Sequence, residues 1–190
     1  MKKSLSLFAS AVFFLTGNQP LSAQDDKTVA GKLIYFELGG PGVVMSAHYD
    51  ARFDPESRLG FGYRIGAGFG YENFEEAIIE LFKEETDMKP YFDDIKRPFY
   101  SIPAGLNYVL GKPHISSTVE IGAGVTFLTR KASLYNYEMY KPGHVIGFFT
   151  CMYRFAPVNG GFTFRIGFTP IIGTAGDLFP MGAIGFGYAF

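Results

Sequence analysis

Leu59 to Tyr71 reads LGFGYRIGAGFGY, and its odd positions, Leu59, Phe61, Tyr63, Ile65, Ala67, Phe69 and Tyr71, are all apolar or aromatic. Its even positions are glycine except for Arg64. A β-strand sends successive side chains to opposite faces, so this period of two makes a strand with one greasy face and one nearly bare face. A bare face does not suit water, which would call for Lys, Glu, Thr or Ser. Glycine also weakens a strand interior unless space is short. Glycines and one arginine suit the cramped polar interior of a narrow barrel whose outside touches lipid.

Working outward, the same alternation recurs on both sides. Lys32 to Gly39 sets Ile34, Phe36 and Leu38 against Tyr35 and Glu37, and Gly39-Gly40-Pro41-Gly42 makes a tight reversal. Val43 to Phe53 separates Met45, Ala47, Tyr49, Ala51 and Phe53 from Ser46, His48, Asp50 and Arg52. Asp54-Pro55-Glu56-Ser57 then turns the chain into the glycine strand. Beyond Tyr71 the alternation stops. In the charged insert from Glu72 to Arg97, Phe74, Ile78, Leu81 and Phe82 recur at helical spacing among glutamates, which predicts a short amphipathic helix.

Alternation resumes at Phe99 to Leu110, where Pro103 removes one ladder donor. A fifth strand sets Val119, Ile121, Ala123, Val125 and Phe127 against Glu120, Gly122, Gly124 and Thr126. After a tyrosine-rich loop, Arg130 to His144, a sixth strand spans Val145 to Phe155. Asn159-Gly160 signals a hairpin into a seventh, Phe162 to Ile172. A loop, Gly173 to Pro180, precedes the last strand, Met181 to Phe190. The expected fold is therefore all-β, an eight-stranded antiparallel up-and-down transmembrane barrel. Short connections after the second, fourth and sixth strands face the periplasm, and longer ones face outward. The first reversal breaks this rule, because it belongs outside and is short.

Composition narrows the class. The chain has 190 residues, a net charge of -1, 17% aromatic residues and 24 glycines. The balanced charge argues against nucleic acid. No apolar run after the N-terminus reaches the roughly 18 residues that a membrane helix needs. A spanning protein without helices must close its strands into a barrel, since lipid offers no partner to an open edge. Lys2 and Lys3, the apolar run Leu5 to Leu15 and then Leu21-Ser22-Ala23 form a signal-peptide layout. Cleavage is expected after Ala23, leaving residues 24–190 as one barrel domain. Cys151 is the single cysteine, which excludes an internal disulfide.

The expected interior carries Glu37, His48, Asp50, Arg52, Arg64, Glu120, Arg154 and Arg165. Buried charges must be paired or hydrogen-bonded, so a salt-bridge plug is predicted in which Glu120 meets Arg154 or Arg165. An eight-stranded barrel leaves a lumen only wide enough for side chains, which predicts a filled barrel rather than a pore. Ser46, His48 and Asp50 share one face and invite comparison with a hydrolase or acyltransferase site. Same-face neighbours stand about 7 Å apart along a strand, too far for a triad by spacing alone. The glycine runs do not open a helix and so form no nucleotide loop, and the acidic insert matches no calcium-loop spacing. No catalytic, cofactor or metal residue is assigned.

The C-terminal residues GAIGFGYAF place Phe186, Tyr188 and Phe190 on alternate positions. This resembles the terminal strand of bacterial outer-membrane barrels, and the chain from residue 24 onward resembles the small OmpA/OmpX-like eight-stranded class. The resemblance implies outer-membrane lipid as surroundings, and insertion by the barrel-assembly machinery, aided by periplasmic chaperones, with Phe190 as the residue read. Any ligand is expected at the loops 72–97 and 130–144, because loops on a rigid scaffold carry function. Two other classes compete: a secreted soluble barrel that holds an apolar ligand, and a lipid-modifying barrel enzyme, which shares the fold and differs in site chemistry.

Overall fold

The computed structural model describes residues 29–71, 98–132, 143–173, 176 and 178–190. The expected signal peptide and the amphipathic insert from Glu72 to Arg97 lie outside the described residues. The strands are β1 (Lys32–Gly39), β2 (Met45–Arg52), β3 (Gly60–Tyr71), β4 (Pro98–Leu110), β5 (Ser117–Ala132), β6 (Gly143–Phe155), β7 (Gly161–Phe168), β8 (Ile171–Ile172), β9 (Leu178–Phe179) and β10 (Gly182–Ala189). The pairings among the described strands are antiparallel: β1 to β7 pair in sequence order, β8 pairs β6 and β9, β10 pairs β7, and β1 pairs β10 to close the ring. β8 continues β7 along β6, and β9 precedes β10, so the ten segments form eight staves.

Period two decides which face meets what. Phe36, Phe61, Ile65, Tyr100, Phe149, Phe162 and Tyr188 are all exposed, while Glu37, Asp50, Arg64, Glu120 and Arg165 are at most 1% exposed. This is a soluble protein's burial turned inside out. An apolar surface running round the whole barrel is far beyond what water tolerates, whereas acyl chains accept it.

The inward glycines are spacers for neighbouring side chains. A Cβ on Gly62 would stand 2.3 Å from Arg52 Cζ, one on Gly66 2.5 Å from His48 Nδ1, and one on Gly124 2.4 Å from Phe148 Cζ. Larger residues on those staves would push the interior side chains into one another.

Several boundaries differ from the sequence reading. Val43 is not in β2. It sits in the β1–β2 connection with φ 78° and ψ -74°, a γ-turn conformation that costs a β-branched residue about 1–3 kcal/mol. Ala51, expected outside, is 4% exposed between its register partners Lys32 and Tyr63. Phe53 lies just beyond the end of β2. The loop read as Arg130 to His144 is shorter, because β5 runs to Ala132 and β6 starts at Gly143. The seventh strand breaks at Thr169-Pro170, and Leu178–Phe179, read as loop, is strand. Phe168 pairs Gly182 and Ile171 pairs Phe179, so one register spans the break and sets Pro170 opposite Pro180. Two residues without N–H interrupt the ladder at one level. Pro103 acts similarly, since the β3–β4 pairing stops at Ile65↔Ala104 and resumes at Gly68↔Ser101.

Ile65, 51% exposed and midway along β3, tests the inverted burial. Ile65→Arg should destabilise the barrel folded in lipid vesicles by about 2–4 kcal/mol in a denaturant titration, the cost of a guanidinium near the bilayer midplane. An unchanged midpoint would mean that this face meets water.

Candidate functional site: the interior of the barrel

From the end of the barrel that carries the longer connections, the first interior layer is apolar. Val43, Phe99, Leu128, Ile146 and Ile171 pack together, joined by Val44, Phe179 and Met181. The β1–β2 connection supplies part of this layer because it folds inward. Gly40–Gly42 forms one 3-10 turn whose three residues are all buried. Ser101 Oγ donates to the Gly42 carbonyl at 3.0 Å and Thr126 Oγ1 to the Pro41 carbonyl at 2.8 Å. Here glycine is required: Gly39 has φ +72°, and a Cβ there would stand 2.4 Å from the Gly182 carbonyl oxygen. This explains why the first outward reversal is short.

Below lies a polar layer from β1, β2 and β7. His48 Nε2 and Ser46 Oγ are 2.7 Å apart, and Glu37 Oε1 stands 3.7 Å from the same nitrogen. The His48 ring stacks on Tyr35 with centroids 4.8 Å apart, and the Arg165 guanidinium lies 4.3 Å from the centroid of the same Tyr35 ring. Arg165 Nε is 3.3 Å from Glu37 Oε2. The spacing argument against a Ser46–His48 contact is thus corrected, since the imidazole leans along the strand and closes the gap. Asp50 goes the other way, to Arg52, and Glu37 faces the nitrogen that Ser46 already occupies. His48 Nδ1 has no partner, so no carboxylate orients the imidazole as nucleophilic catalysis requires.

The third layer holds the densest charge. Glu120 Oε1 accepts from Arg165 Nη2 at 2.8 Å and from Arg64 Nη1 at 3.5 Å, and Oε2 from Arg154 Nη1 at 3.3 Å. Asp50 Oδ1 accepts from Arg52 Nη2 at 2.6 Å and from Arg154 Nη1 at 3.0 Å, while Oδ2 accepts from Asn107. Arg64 also donates to Thr150 Oγ1 at 2.9 Å and lies 5.1 Å above the Phe148 ring. All eight residues singled out from the sequence are buried inside, and ion pairs or hydrogen bonds link them into one network. Tyr35, Asn107 and Thr150 join this network through ring contacts and hydrogen bonds, without having been singled out from the sequence.

Arg58 escaped notice altogether. At the opposite end it donates to the carbonyls of Ile115, Ser116 and Ala156 at 3.0, 3.4 and 2.7 Å. Its even number, matching Gly60 and Arg64, was the available signal. Phe186, Tyr188 and Phe190 project outward from the closing stave, 44%, 61% and 50% exposed.

Removing one partner of a buried ion cluster leaves the others uncompensated. Glu120→Gln should therefore cost about 3–5 kcal/mol of barrel stability, read by denaturant titration in lipid vesicles. A loss below about 1 kcal/mol would place Glu120 in the range of exposed ion pairs.

No protein-family model matches the chain, and no curated protein matches it either. Among solved structures, the N-terminal β-barrel domain of Pseudomonas aeruginosa OprF superimposes with a TM-score of 0.50 at 10% sequence identity. The match covers 85% of this chain and 99% of that domain. At this identity the likeness speaks for fold alone, and the fold is a closed eight-stranded antiparallel β-barrel.

Proposed function

We propose that the protein is an integral outer-membrane barrel without enzymatic activity, with a plugged lumen and a role in adhesion, envelope integrity or surface recognition. The observation that carries this reading is the inversion of burial: aromatic and aliphatic side chains ring the outside while Arg64, Arg165, Glu37 and Glu120 are sealed within. A secreted barrel with an apolar ligand inside needs the reverse arrangement. Cleavage after Ala23 would release the barrel domain 24–190 into the periplasm. Chaperones and the assembly machinery would then insert it, with Phe186, Tyr188 and Phe190 as the assembly signal.

Two features favour a plug. The inward turn and its apolar layer stand above the charged layers, and the network holds its guanidiniums on carboxylates that bridge several staves. An interior that carries packing and charge balance leaves recognition to the connections, which points to residues 72–97 and 130–144. A non-enzymatic reading agrees with a Ser46–His48 pair that is buried and lacks an orienting carboxylate on Nδ1.

In planar bilayers the purified protein should show only small, infrequent conductance steps, and large stable channels would refute the plug. An epitope tag inserted after Glu85 should be detected by antibody on intact cells. Detection only after the envelope is opened would reverse the orientation.

A further inference from the structure

We infer that the barrel interior holds a monatomic anion, a halide such as chloride, between Arg64, Arg165, Tyr35 and His48. Charge is the first argument. Among the described residues the network sets four arginines, Arg52, Arg64, Arg154 and Arg165, against three carboxylates, Glu37, Asp50 and Glu120. Arg58 adds a further cation at the far end, bound to carbonyls alone. A barrel wall in lipid keeps solvent counterions away, and a surplus charge there is costly unless something inside offsets it.

The second argument is the sign of the groups left over. Arg52 Nε, Arg64 Nε, Arg165 Nε and Nη1, Tyr35 Oη and His48 Nδ1 are buried without a hydrogen-bond partner, as are both Glu37 oxygens. Glu37 is spoken for electrostatically by Arg165, whose Nε stands 3.3 Å from Oε2. Subtracting that pair leaves Arg52 Nε, which lies with Asp50 and Asn107, and Arg64 Nε, Arg165 Nη1 and Tyr35 Oη, all of which can donate. Where Ser46 donates to His48 Nε2, the proton sits on Nδ1 and supplies another donor. A guest that only accepts fits this set, and water, which also donates and carries no charge, offsets nothing.

The donors are neighbours. Arg64 and Arg165 meet at one oxygen, Glu120 Oε1, and Arg165 lies over the Tyr35 ring that stacks on His48. The walls are close. A Cβ on Gly66 would stand 2.5 Å from His48 Nδ1, and one on Gly185 2.8 Å from Arg165 Cγ. An interior filled this closely by its own side chains favours the smallest acceptor, a single atom, over an oxyanion.

Crystals of the full protein in detergent, grown in sodium bromide, should show an anomalous peak in hydrogen-bonding contact with Arg165 Nη1. Water density there without an anomalous signal would overturn the inference. A solution measurement stands beside it. Protein refolded in sodium chloride should unfold at a higher temperature than protein refolded in sodium gluconate at equal ionic strength, because gluconate is too large to enter. Arg64→Gln removes the surplus charge and should abolish that difference. Equal midpoints of the native protein in both salts, or an undiminished difference in a folded Arg64→Gln variant, would each contradict a bound halide.

Discussion

Three guanidinium groups converge on the carboxylate of Glu120, and the barrel is arranged so that this can happen. Arg64 comes from β3, Arg154 from β6 and Arg165 from β7, while Glu120 stands on β5. None of these side chains reaches bulk water, so each depends on the others for the charge compensation that solvent gives at a surface. Such a cluster needs the staves held at fixed register, because a slip of one residue would turn the whole polar set outward. The glycines serve the same end. Side chains as long as arginine lie across the lumen only where the facing staves carry no Cβ, which is why β3 is glycine at nearly every inward position.

Much of this was legible in the sequence because period two is both the physics of a strand and the signature of its two environments. The organising strand, the inner set of charges and the outward aromatics follow from parity alone, and even the unnoticed Arg58 obeys it. Parity says nothing about residues that leave the pleat. Gly40, Pro41 and Gly42 read as an ordinary turn, yet they enter the barrel because Ser101 and Thr126, far away in sequence, supply hydroxyls to their carbonyls. Pro170 and Pro180 looked like the edges of a loop. Their opposition is a property of register, which appears only when two strands are laid side by side. The Ser46–His48 contact was missed for a related reason: backbone rise fixes where Cβ atoms stand and not how far an imidazole leans.

These features fit one physical account of the molecule as a membrane object. A shell of Phe, Tyr, Ile and Leu side chains is stable against acyl chains and unstable against water. A sealed, charged interior is affordable only when few charges are left over and those few are matched. In the proposed reading, work falls to the connections, and the interior acts as their rigid mount.

The most direct test of this account is the mobility of the protein from the outer-membrane fraction on an SDS gel, compared with and without boiling. The account predicts a band in that fraction that migrates differently once heated, the mark of a barrel that detergent alone cannot open. A band found only in the soluble periplasmic fraction, with the same mobility before and after boiling, would contradict it and mean that the apolar face is not turned to lipid.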